Sequence, residues 1–353
     1  MTRRGWALFA AMCLIWGIPY LLIKVAVADV DPVVVVFVRT AMGAVLLLPI
    51  AAARGQLAPL LPRWRVLAVY TVVEIGIPWV LLSDAETRLS SSLSGLLVGA
   101  VPLLGAVLAA LVGQERFDLR RLAGLLVGLA GVAALLGFDV SGGDLRAVGE
   151  IGLVTVGYAV GALMISRQLA GLPAIGVVAS SLALTAVAYT PLSLTRLPSS
   201  LPPGNVLAAL AVLGVVCTAI GFIIFFALVA EAGPVRATVI AYVNPAVAVA
   251  LGVILLHERF TAATAVGFVL ILAGSYLSTR RPSPSSPSTA VTASGASIGG
   301  QWPTSSRRRR GAAGNRSTMR SAMCAPEMGS SIPQTNPSGT GVDSMAPTQS
   351  DSR

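Results

Sequence analysis

Of the charged side chains within the apolar runs of this chain, where a charge needs a reason, three are serious candidates for chemistry. Glu74 lies in the run 65–83, about ten residues or about 15 Å along a helix from its start. Pro78 follows four residues later, and because proline has no N–H, the Glu74 carbonyl loses its helical donor. Gly76 between them loosens the same turn. A carboxylate beside a freed carbonyl suits a proton, a cation or an amino group. Arg39 lies about seven residues, roughly 10 Å, into the run 32–53. Two readings stay open for it: a structural ion pair with Glu74, or a site for a substrate anion. Lys24, the only lysine, lies near the end of the run 6–27 and could guard the mouth of a pathway or simply snorkel to the interface.

Other residues in the apolar runs could shape a cavity around these charges. Pro19, Pro102 and Pro245 free the carbonyls of Ile15, Val98 and Ala241, and irregular backbone at membrane depth is tolerated where protein buries it or a cavity meets it. Asn244 adds a neutral amide beside Pro245, while Trp16, Tyr20, Tyr158 and Tyr242 could supply an aromatic lining. Packing competes with function for each of them. The serines at 90–92 could offer a helix N-terminus to a carboxylate, or only cap that helix.

The elements that must position these residues are membrane helices. The chain is 55% apolar and 11% charged, with a mean hydropathy of +0.81, outside the range of soluble domains. A helix needs about 20 apolar residues to cross the hydrocarbon core. Ten runs reach that scale: 6–27, 32–53, 65–83, 90–112, 119–137, 148–166, 174–194, 205–229, 235–256 and 261–279. The alternation of a barrel strand is missing, since residues 33–38 are apolar on every face. The first run, at 22 residues, exceeds the roughly 7–15 of a signal-peptide core, so an uncleaved first span is expected.

The sequence also repeats itself. Pro102 and Glu115-Arg116-Phe117 recur as Pro245 and Glu258-Arg259-Phe260, each 143 residues later, and Gly124, Ala130 and Gly131 recur as Gly267, Ala273 and Gly274. Each unit holds five runs, and an odd number of crossings brings the second copy into the membrane upside down. Arg116 and Arg259 then belong on opposite faces, as do Lys24 and its counterpart Arg167. The expected fold is an all-α polytopic membrane protein of ten transmembrane helices in two inverted five-helix repeats, 1–138 and 139–281, with a disordered cytoplasmic tail over 282–353.

Arginines set the orientation. With the N-terminus in the cytoplasm, twelve arginines fall at cytoplasmic ends, against Arg88, Arg146, Arg196 and Arg259 outside. Asp84 and Glu86 then belong to an outer loop. Both termini are expected in the cytoplasm of a multi-pass cell-membrane protein. The tail from 282 onward is rich in Ser, Pro, Thr, Gly and Ala, and its four arginines at 307–310 could meet anionic lipid.

Catalytic patterns are missing. The only lysine follows Ile23 and not glycine, so there is no phosphate-binding loop of the GxxxxGK type. His257-Glu258 has Thr261 where a zinc protease needs its second histidine, and no GxSxG elbow occurs. Cys13, Cys217 and Cys324 form no CxxC pair, so no metal, catalytic residue or cofactor is expected.

Trp16-Gly17 followed by Lys24, the Pro32 and Arg39 arrangement, and the two Pro(x12)Glu-Arg segments resemble the EamA-type members of the drug/metabolite transporter superfamily. The resemblance covers 6–279. It implies ten helices, cytoplasmic termini and transport of small metabolites, often export of amino acids or related compounds. The combined reading is a secondary transporter, not an enzyme, that exports a small metabolite by alternating access, with proton coupling as one option. The cavity is expected near Glu74, Arg39, Tyr158 and Asn244. A flippase of small lipids or lipid-linked sugars is the alternative within transport, and a non-transporting membrane scaffold the alternative outside it. The partners expected are a small-molecule substrate, membrane lipids, protons and a second copy of the chain, but no nucleic acid.

Overall fold

The computed structural model describes residues 1–113, 119–139, 144–237 and 239–279. The motif copy Glu115-Arg116-Phe117 and the tail 282–353 lie outside the described residues. Every regular element among them is a helix. Seven helices are long and apolar enough to cross a membrane: α1 (Arg3–Ala26), α2 (Pro32–Ala53), α3 (Ala58–Arg88), α4 (Ser91–Leu111), α6 (Leu145–Arg167), α7 (Ala174–Leu194) and α8 (Gly204–Ala232). α5 (Leu119–Asp139), α9 (Ile240–Leu255) and α10 (Ala262–Thr279) complete the set with the short helix Pro234–Ala237.

Local sequence starts and stops these rods. Thr2, Asp31, Ser90 and Thr261 each accept an N–H of the first turn that follows, at 2.9–3.1 Å, which satisfies donors that no helical carbonyl can reach. Gly233 ends α8 at φ +84°, a conformation a side chain would strain. The rods are apolar on most faces, and side chains such as Val45 and Val187, 70% and 71% exposed, form the outward surface of a multi-pass membrane protein.

Between the rods, small residues bring backbones together. α5 packs along α10. A Cβ on Gly124 would lie 2.8 Å from the Gly274 carbonyl, and one on Gly131 2.9 Å from the Gly267 carbonyl. The glycines that repeat along the sequence are thus exchanged in space: the first of one copy meets the second of the other. Such contacts are the means by which membrane helices associate, since lipid gives them no hydrophobic drive. α2 and α7 run antiparallel, with Asp31 paired to Arg196 at 3.2 Å at one end and Gln56 against Gly176 at the other. α4 and α9 cross where Gly95 admits Ala248 and Gly99 admits Pro245.

The sequence reading placed Asp84 and Glu86 in an outer loop, and the structure corrects this. α3 continues through Arg88, because Asp84 and Arg88 pair across one turn at 2.6 Å and Arg88 also reaches Glu150 of α6 at 2.6 Å. Polar residues that read as a loop are the last turn of a helix, and Glu86 is fully buried in it.

Candidate functional site

Helix irregularities gather around one cavity of about 320 Å³. α1 breaks at Ile18 and restarts at Pro19. α4 breaks at Gly99 and Ala100 and restarts at Val101, with Pro102 in its first turn. α3 widens into a π-helix over Thr71–Gly76, and α8 does so over Val212–Ile220. These two wide segments overlap at the repeat offset and carry Glu74 and Cys217, which are equivalent positions and both line the cavity. Each has its own cause. In α3, the ring of Pro78 crowds the carbonyl of residue 74 and withholds a donor. In α8, the Thr218 hydroxyl donates to the Leu213 carbonyl, five residues back, at 2.8 Å. Wide turns of this kind recur at functional sites.

Into this cavity the fold brings the candidates Trp16, Arg39, Glu74, Tyr158 and Asn244, together with Tyr20 and the prolines 19, 102 and 245. Pro245 behaves differently from the other two, since α9 runs unbroken through it; the residue whose carbonyl it frees, Ala241, lines the cavity. Pro78 sits behind the wall, where it would meet a Cβ on Gly157 at 2.7 Å. Tyr242 turns away and reaches the Ser275 carbonyl at 3.4 Å. Lys24 is also elsewhere: its ammonium donates to the carbonyls of Glu86 and Leu89 at 2.7 and 2.8 Å. Its counterpart Arg167 donates to the Val112 carbonyl at 3.1 Å. Both basic residues therefore cap helix C-termini, where a positive charge is favourable.

Glu74 and Arg39 share the cavity but form no ion pair. The Arg39 residue is 8% exposed. Its Nε donates to Thr218 Oγ1 at 2.9 Å, and its guanidinium lies 3.7 Å from the centre of the Trp79 ring, a stacked cation–π contact. This leaves Glu74 on its own. Its Oε2 is buried against Gly161 with no hydrogen-bond partner, and Asn244 Oδ1 is also buried without one. Unpartnered buried acceptors are rare and call for an explanation. Tyr158 lies within electrostatic range of both Arg39 and Glu74. The arrangement offers one fixed cation, one carboxylate, one amide oxygen lacking a donor, and aromatic walls from Trp16, Tyr20, Trp79 and Phe222.

Sequence reasoning missed Trp79. Its place beside Pro78 carries no signal that an arginine 40 residues earlier would stack on it. It also missed the partner of the serines: Glu258 accepts from the N–H of Ser91 and Ser92 at 2.7 and 2.9 Å and from the Ser92 hydroxyl. The proposed carboxylate at that helix N-terminus belongs to the protein itself.

Comparisons with known proteins agree with this architecture. The chain is 25% identical over 274 residues to the uncharacterized transporter YvbV of Bacillus subtilis, covering 75% of this chain and 88% of that one. It is 22% identical to an uncharacterized transporter of Archaeoglobus fulgidus (79% and 99% covered) and 23% identical to a probable amino-acid metabolite efflux pump of Salmonella typhimurium (78% and 95% covered). A solved crystal structure shares the fold at a TM-score of 0.58 and 23% identity, over 79% of this chain and 97% of the other. The model of the EamA-like transporter family matches twice, at residues 3–137 and 149–280. With two copies of that domain, the chain belongs to the EamA-like transporter family.

Proposed function

We propose that this protein is a secondary transporter that exports a small zwitterionic or amphipathic metabolite, such as an amino acid or a related compound, by alternating access. The observation that carries the reading is the separation of Arg39 and Glu74 in one cavity. A guanidinium held by Thr218 and Trp79 is ready for a carboxylate, and the Glu74 carboxylate, which lines the same cavity outside any ion pair, is ready for an ammonium group or a proton. The aromatic walls suit the apolar part of such a molecule, and 320 Å³ is within the range of small-ligand pockets. Arg39 is buried in the cavity wall, which favours a small metabolite over a lipid headgroup.

The reading includes ten crossings in two inverted five-helix repeats, 1–138 and 139–281, a separate tail 282–353, and both termini in the cytoplasm. Reciprocal packing supports the inversion. Equivalent helices α5 and α10, and likewise α2 and α7, lie antiparallel, as a two-fold axis in the membrane plane requires. Glu74 is the group for proton coupling. Counterflow of labelled amino acids in proteoliposomes, followed by uptake with and without a proton gradient, tests both parts. Counterflow without gradient-driven accumulation would remove the coupling, and no counterflow by any zwitterion would remove the substrate class.

A further inference from the structure

The joint between α3 and α4 lies one helical turn beyond the cavity, since Leu82 lines the cavity and Glu86 follows four residues later. Two side chains from distant parts of the chain hold this joint. Lys24 binds the carbonyls of Glu86 and Leu89, at the C-terminal end of α3. Glu258 binds the N–H groups of Ser91 and Ser92, at the N-terminal end of α4. Each charge has the sign that its helix end favours. One comes from each repeat.

Between them lies a group that neither partner satisfies. The Glu86 side chain is fully buried, and neither of its carboxylate oxygens has a hydrogen-bond partner. Lys24 and Tyr20 of α1, Arg39 of α2, Tyr158 of α6 and Glu258 of the segment between α9 and α10 lie within electrostatic range of it. None of their side chains reaches it with a hydrogen bond. A sealed carboxylate anion with no donor, near a second carboxylate, is costly. The same group as a carboxylic acid carries no net charge to desolvate.

We propose that Glu86 is a proton-binding site, separate from the cavity carboxylate, whose proton keeps the α3–α4 joint latched. When the proton leaves to water, the new carboxylate attracts the Lys24 ammonium away from the two carbonyls and repels Glu258 from Ser91 and Ser92. Both helix ends then lose their charged caps, and the two repeats come apart at this end. The latched state holds one proton more than the open state. Acid therefore favours the latch, and it is lost as pH rises, with the open-to-latched ratio increasing up to tenfold per pH unit. The inference concerns the protein alone and does not rest on the transport reading.

Backbone hydrogen exchange of residues 90–94 tests it, measured on the full chain in lipid nanodiscs across pH and corrected for the intrinsic pH dependence of exchange. The wild-type chain should lose protection by up to tenfold per pH unit, while Glu86→Gln, which keeps the shape and cannot ionise, should stay protected throughout. A flat wild-type profile, the same slope in Glu86→Gln, or loss of protection in Glu86→Gln at every pH would each overturn the proposal. If Glu86→Gln does not insert, infrared spectroscopy of Glu74→Gln decides. A carboxylic-acid C=O band that titrates together with the exchange supports the proposal, and its absence at the pH of full protection overturns it.

Discussion

Glu74→Gln removes a charge and keeps the shape of the side chain, so it separates a coupling carboxylate from a structural ion-pair partner. If Glu74 were paired with Arg39, its loss would strand a buried cation at about 3–5 kcal/mol. In a protein of this size that corresponds to a fall in Tm of roughly 6–20 °C. The structure has no such pair: Arg39 is held by Thr218 at 2.9 Å and by the Trp79 ring at 3.7 Å, and both contacts survive the substitution. Glu74 Oε2 has no hydrogen bond to lose. The expected change is therefore within about 1 kcal/mol, or about 4 °C at most. Thermal unfolding of the purified protein reads the stability, and counterflow against gradient-driven uptake reads the function. The variant should exchange substrate and fail to concentrate it. A fall in Tm on the ion-pair scale, restored by adding Arg39→Met, would refute the reasoning; so would full accumulation against a gradient.

Arg39→Lys keeps the charge and loses both the planar stack on Trp79 and the fixed Nε bond to Thr218. Apparent substrate affinity in radiolabel uptake should fall about tenfold, the loss of one charge-assisted hydrogen bond from a bidentate guanidinium–carboxylate pair, and an unchanged value would count against Arg39 as the anion site. Gly161→Ala sets a methyl group onto the Glu74 carboxylate, an overpacking of about 1–3 kcal/mol; thermal unfolding should show the loss and transport should fail with it. Gly131→Leu forces α5 away from the Gly267 carbonyl, where even a Cβ would lie 2.9 Å away, and should abolish a folded monodisperse product in size-exclusion chromatography. For topology, cysteines at Leu119 and Leu201, which are 86% and 83% exposed, should react with an impermeant reagent from opposite sides of the membrane. Labelling from one side would remove the inverted arrangement.

The sequence by itself determined the membrane class, the duplication and most of the cavity wall. Apolar runs of about 20 residues have one stable solution in lipid, since every backbone donor must be satisfied within the helix, and a repeat with an odd number of runs carries its own inversion argument. Charges and prolines inside those runs stand out because burial makes each of them costly, as at Glu74, Arg39, Pro19 and Pro102. Tertiary structure decided what each of them touches. Whether Arg39 meets Glu74 or stacks on Trp79 depends on helix rotations that no local pattern encodes. The end of α3 depends on Arg88 finding Glu150 in the other repeat, so Glu86 reads as a loop residue and is buried. Lys24 and Glu258 reach the same joint from positions 234 residues apart, because the charge of a helix end attracts its complement in space, whatever the separation along the chain.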